Sequence, residues 1–161
     1  MLTRSFAALV VVALLAVACG PPVAPSATGQ EGLPAGLAGT AWKVVSVGGR
    51  VPTVGAEPTA TFSADRVTGS GGCNTYGGGY QYDPSSGRIQ MHDLGATLMA
   101  CVEAARNDFE TAFFQALGTA NLAAVDAQGR LTLSGPGGMI VLEPDPRRPG
   151  PPSAPPRPIT S

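Results

Sequence analysis

The chain has 161 residues, a formal net charge of -1 and only 13% charged side chains, so it carries no basic stripe to neutralise phosphates and no acidic tail. That balance argues against nucleic acid as a partner. With residues 1–18 read as removable and 144–161 as unstructured, one domain of about 100–125 residues is left, enough for a single small core.

Residues 1–18 place one cation, Arg4, before an apolar run over 6–17, and small residues then precede Cys19. This is the order of a secretory signal. A permanent membrane span is the alternative, but the run is short of the roughly 20 apolar residues a bilayer needs, and no cationic cluster follows it. Ala16, Val17, Ala18 and Cys19 resemble a bacterial lipobox, in which the cysteine sulfur is acylated and the bond before it is cut. The commoner leucine is displaced by one, to Leu15, and cleavage by the ordinary signal peptidase is the rival outcome. Cys19 is therefore the expected lipidation site, and the expected location is a cell-membrane surface in the bacterial envelope, held by acyl chains at about 0.8 kcal/mol per buried methylene. Residues 19–36, rich in glycine, proline and alanine without apolar period, read as a tether.

The folded domain is expected over 37–143. A first strand over 41–47 sets Trp42 and Val44 on one face and Lys43 on the other. Stretches 59–63 and 66–70 form a hairpin around Ala64 and Asp65, with Ala60, Phe62 and Val67 inward. The glycine-rich run over 69–80 fits neither a phosphate loop nor a dinucleotide fingerprint, since Asn74 stands where the latter needs glycine or alanine. Its glycines are read as serving a bulge, a tight turn or a close backbone approach. Tyr80 and Tyr82 share a face of a strand whose partner runs to Asp93, with Ile89 and Met91 inward and His92, the only histidine, outward. His92 has neither a serine elbow nor a paired metal-ligand motif to work with.

Ala105, Phe109, Phe113, Ala116 and Leu117 then recur at helical spacing, with Gly118 as the expected C-terminal cap. This is the one amphipathic helix, and Glu103, Asp108 and Glu110 sit in its first half, where negative charge is favoured. Three further strands fall within 120–126, 129–135 and 137–143. The fold class is therefore α+β: a small antiparallel sheet domain of about eight short strands, barrel-like or as two packed sheets, with one helix. Residues 144–161 read as a disordered, proline-rich tail.

If Cys19 carries lipid, Cys73 and Cys101 remain as an even pair in a compartment where disulfides persist, and a structural bridge is expected. Free buried thiols and redox or metal chemistry are the alternatives, the latter lacking close cysteine spacing. No cofactor and no metal site is expected.

The carrying residues Gly39, Thr40 and Trp42, the motif G-C-N-x-Y over 72–76, Gly78 or Gly79 with Tyr80, T-x-M-A-C over 97–101, then Glu110, Phe113, Leu117, Leu131 and Leu133 together resemble the META domain family. One departure is Leu98, where many members carry an arginine. The resemblance implies a compact mixed domain, often exported or lipid-anchored, associated with heat or antibiotic stress and without an established catalytic activity. The expected function is that of a non-enzymatic, lipid-anchored envelope lipoprotein that binds a protein or envelope component. Asn74, Thr75 and Tyr76 form the expected recognition loop, with Asn74 as a turn residue bonding its own backbone in the rival reading. The rival from another class is an envelope hydrolase using a carboxylate pair drawn from Asp83, Asp93, Glu103 and Asp108.

Overall fold

A computed structural model describes residues 36–99 and 101–148. The segments 1–35 and 149–161 lie outside the described residues, and with them the expected signal, Cys19 and most of the tether and tail. Among the described residues no helix is long and apolar enough to cross a membrane.

Eight antiparallel strands form a closed barrel in sequence order: β1 (Thr40–Val47), β2 (Thr59–Phe62), β3 (Arg66–Ser70), β4 (Thr75–Asp83), β5 (Arg88–Ala96), β6 (Leu122–Val125), β7 (Leu131–Gly135) and β8 (Gly138–Pro144). One helix, α1 (Ala104–Gly118), interrupts them between β5 and β6. Several strands turn alternate residues inward: Trp42 and Val44, Ala60 and Phe62, Leu131 and Leu133, and Ile140 and Leu142 are all buried. A barrel this small is filled by its own side chains.

The register fixes which end each turn occupies. β1 pairs with β2 so that Thr40 faces Phe62, and with β8 so that Val47 faces Ile140. The turn over 71–74, the loop over 97–103 and the β7–β8 turn therefore share one end of the barrel. Helix α1 packs on the first and last of these, its Glu110 and Phe114 against Gly71 and its Gln115 and Ala116 against Gly137 and Gly138. Phe113 and Leu117 reach from it into the core. Leu37, buried and bonded through its carbonyl to Thr40, closes the opposite end.

Three expectations are corrected in detail. Ala105 is exposed, so the buried helical stripe begins at Phe109. Gly118 is the last helical residue and not a left-handed cap; Thr119 terminates the helix, its hydroxyl donating to the Gln115 carbonyl at 2.8 Å and accepting from Gly137 N–H at 2.9 Å. β5 runs on to Ala96, past Asp93, because a bulge absorbs the extra residues: Gly79 faces His92, yet Gly77 faces Gly95. Asp93 takes φ 52° there, the only left-handed non-glycine among the described residues. Opposite it, a Cβ on Gly78 would stand 2.7 Å from Leu94 Cδ2 and 2.9 Å from the His92 carbonyl, so these strand glycines permit close approach.

Candidate functional site

The two motifs that stand out in the sequence meet at the helix-capped end of the barrel. The turn over 71–74 brings Cys73 beside Cys101, and a disulfide joins them across 28 residues with Cα atoms 5.8 Å apart. That separation is within the ordinary range for the bond.

Below the disulfide lies a hydrogen-bonded knot built on two buried polar residues, Asn74 and Glu110, each about 95% removed from solvent at 5% and 4% exposure. Glu110 Oε1 accepts the backbone N–H of Cys73 at 3.1 Å and of Asn74 at 2.6 Å. Its Oε2 accepts Asn74 Nδ2 at 2.6 Å. The same Nδ2 donates to the Met99 carbonyl at 3.1 Å, while Asn74 Oδ1 accepts Met99 N–H at 2.7 Å and the Thr97 hydroxyl at 2.8 Å. Both donors of the Asn74 amide are used and its oxygen accepts twice, which fulfils the side chain's capacity. Thr97 closes the circuit by accepting Thr75 N–H at 3.2 Å.

This arrangement explains the spacing of the motifs. Asn74 clamps the backbone of Met99 from both its donor and its acceptor side, so the loop after β5 is held to the turn before β4. Glu110 holds that turn to α1. Gly71 is required for the contact, because a Cβ there would come within 2.6 Å of Glu110 Oε1 and 2.9 Å of Phe114 Cζ. Ala100, one of the motif residues, lies outside the described residues.

The expected recognition loop is corrected by this burial. Tyr76 points into the barrel, where it meets Phe113 and Phe114 edge-on with ring centroids 5.5 Å and 5.6 Å apart, and its hydroxyl donates to the Thr59 carbonyl at 3.0 Å. Burial pushes its phenol pKa upward. Asn74 bonds distant backbone and not its own. Of the three residues only Thr75 is exposed, and it is the first residue of β4. Exposed apolar side chains at this end come from the loop after β5, alongside the exposed Thr97 and Glu103: Leu98 is 98% exposed, Met99 59% and Val102 fully so. Val54, also exposed, stands on the β1–β2 loop, which Arg106 of α1 holds by donating to the Val54 carbonyl at 3.4 Å.

The four carboxylates of the rival hydrolase reading are dispersed. Asp83 ends β4 at the opposite end of the barrel and lines a cleft of about 470 Å³ with Tyr82, Arg88 and Asn121, where β5 and β6 part. Hydrogen bonds from the Ser85 and Ser86 hydroxyls and from Ser85 N–H pull its pKa down to about 2, too acidic for proton transfer near neutrality. Asp93 pairs with its neighbour His92 at 2.9 Å. Glu103 lies 4.0 Å from Arg106, and Asp108 is exposed on the helix.

A family model described as the META domain matches residues 35–145. The chain belongs to the META domain family. Its META domain is similar in fold to a protein from Burkholderia xenovorans solved by NMR, at 24% identity and TM-score 0.60, covering 83% of this chain and all of the other. A second NMR structure is similar at 22% identity and TM-score 0.55, covering 66% of this chain and 90% of that one. Among curated proteins none matches. These likenesses concern the fold.

Glu110, read from the sequence both as an acidic group in the first half of the helix and as one of the META residues, is buried in the knot. Its position carried a signal: it lies three residues before Phe113 and seven before Leu117, on the apolar stripe itself.

Proposed function

We propose that this META domain protein is a lipid-anchored, non-enzymatic lipoprotein of the bacterial cell envelope that holds a protein partner through the loop over 97–103, in a role tied to envelope stress. The observation that carries the reading is the combination of exposure and restraint in that loop. Leu98, Met99 and Val102 face solvent, while Asn74, the disulfide and Glu110 fix the backbone beneath them. Exposed apolar side chains on a pre-ordered backbone suit binding, because little ordering entropy remains to be lost on association. Leu98, where the chain departs from the family's usual arginine, supplies apolar area at that very position.

The order of segments in the sequence supports the rest. A signal ending in Ala16–Val17–Ala18–Cys19 and a tether over 19–36 precede the barrel. The chain enters the barrel at the Leu37 end, opposite the apolar loop, so an anchored protein would hold the loop away from the bilayer.

The test is affinity capture from detergent-solubilised membranes with the wild-type chain and with the double variant Leu98→Asp, Val102→Asp. Both substitutions are on exposed side chains and should leave the thermal midpoint within a few degrees of wild type. The wild type is expected to retain a specific envelope protein and the variant to lose it at least tenfold. Equal capture by the two, or no specific protein under heat or antibiotic stress, contradicts the reading.

A further inference from the structure

The disulfide and the buried carboxylate beneath it form a donor set of their own. Cys73 Sγ, Cys101 Sγ and an oxygen of Glu110 all lie within 4.8 Å of one another. Cys101 Sγ stands 3.8 Å from Glu110 Oε2. As a disulfide sulfur it has no proton to donate, so this is a contact and not a hydrogen bond. Two ligands of a tetrahedral zinc, one sulfur at about 2.3 Å and one oxygen at about 2.0 Å, lie about 3.5 Å apart. The observed spacing is close to that value.

The lone pairs of Glu110 support the same conclusion. Oε1 is saturated by two backbone N–H groups, whereas among the described residues Oε2 accepts a hydrogen bond from the Asn74 amide alone. That oxygen is the one beside Cys101. The three N–H donors hold the carboxylate in place, as outer-shell hydrogen bonds do for metal ligands.

We propose that the Cys73–Cys101 disulfide is the oxidised form of a soft-metal site, which on reduction binds one Zn²⁺ through both thiolates and Glu110. The reductant is a dithiol: it gives two electrons and two protons to the protein disulfide, yielding two thiols, and is itself oxidised to a disulfide. Zinc binding then displaces both thiol protons to solvent. Cα atoms 5.8 Å apart leave the two thiolates free to separate to the roughly 3.8 Å that a shared zinc requires. Both cysteines are partly exposed, so water completes the tetrahedron. Two thiolates favour zinc over magnesium or calcium. In either state the turn over 71–74 stays cross-linked to the loop before α1, by sulfur or by metal.

The test uses the detergent-solubilised full chain, reduced anaerobically with a water-soluble phosphine that is then removed, and Co²⁺ as the probe. Reduced wild type is expected to take up one equivalent with near-ultraviolet sulfur-to-cobalt bands that Zn²⁺ abolishes by displacement, and the oxidised chain none. Glu110→Gln should keep the thiolate bands but bind at least about tenfold more weakly. Near-ultraviolet circular dichroism of Trp42 and the tyrosines reports folding alongside: if reduction loosens the barrel, Zn²⁺ should restore the signal. No thiolate bands in the reduced wild type, affinity unchanged in Glu110→Gln, or a loosened barrel that zinc fails to restore would each overturn the proposal.

Discussion

Asn74 and Glu110 bear more of the domain's polar bonding than any other buried side chains, and their energetic weight follows from what each would leave behind. Glu110→Ala would strip the acceptor from the N–H groups of Cys73 and Asn74 and from the Asn74 amide. Unsatisfied buried donors cost about 1–3 kcal/mol each, so a loss of about 3 kcal/mol or more is expected in denaturant unfolding. Asn74→Ala should be comparably severe, and the double variant clearly less than the sum, because the two share one network. Strict additivity would mean that the knot is not a unit. The stripe position of Glu110 was legible, but its bonding partners were not, since a helical period cannot tell a buried glutamate with partners from a solvated one. Asn74 stands out in the sequence, but where an Asn in a glycine-rich turn ordinarily bonds its own backbone, this one bonds Met99. Tyr76 adds a dependence on pH. Its phenol is raised by burial, so the unfolded chain, ionising at about 10, releases a proton that the native chain keeps. That contribution is fully present below pH 10 and is lost as pH rises beyond it. Tyr76→Phe should flatten the fall in stability above about pH 10 by close to one proton; an unchanged slope would place the sensitivity in Tyr80 and Tyr82, whose phenols are also raised.

Among the elements, the strands were the most legible. Alternation of apolar and polar residues located the first strand, the β2–β3 hairpin and the three strands after the helix within a few positions, because each has one face in the core. Boundaries failed where geometry is set by contact. β5 extends beyond Asp93 only because a bulge against Gly78 lets it, and α1 stops at Thr119 because that hydroxyl is held between Gln115 and Gly137. The turn over 71–74 shows the same dependence on contact. Gly71→Ala would drive a methyl group into Glu110 and Phe114, neither of which can retreat from a packed helix face. A loss of about 1–3 kcal/mol is expected in thermal or denaturant melts. Gly95→Ala, where an added Cβ meets nothing within 4 Å, is the control and should change stability by less than about 0.5 kcal/mol. Equal effects at the two positions would contradict the close approach of α1 to the turn.

The described residues form a barrel filled by its own side chains, stoppered by Leu37 at one end and by α1 and the Cys73–Cys101 disulfide at the other. Closure itself was only half legible: about eight strands and a helix were countable, but β5 and β6 share a single register pair, Arg88 with Leu122, which no pattern of residues announces. The disulfide was legible from the expectation that, with Cys19 taken by lipid, Cys73 and Cys101 form an even pair. In the chain-entropy picture it stabilises a loop of 28 residues by about 3.5 kcal/mol, substantial for a core this small. In the proposed reading the three sulfurs divide their roles: Cys19 carries lipid, and Cys73 and Cys101 are joined to each other beside the loop proposed to bind a partner. Intact mass of the membrane-extracted protein, alkylated before and after reduction, tests this most directly. The prediction is a chain beginning at Cys19 with added acyl mass, no alkylation before reduction and two alkyl groups after it. A chain that starts elsewhere without acyl mass, or thiols that react before any reductant is added, would contradict it.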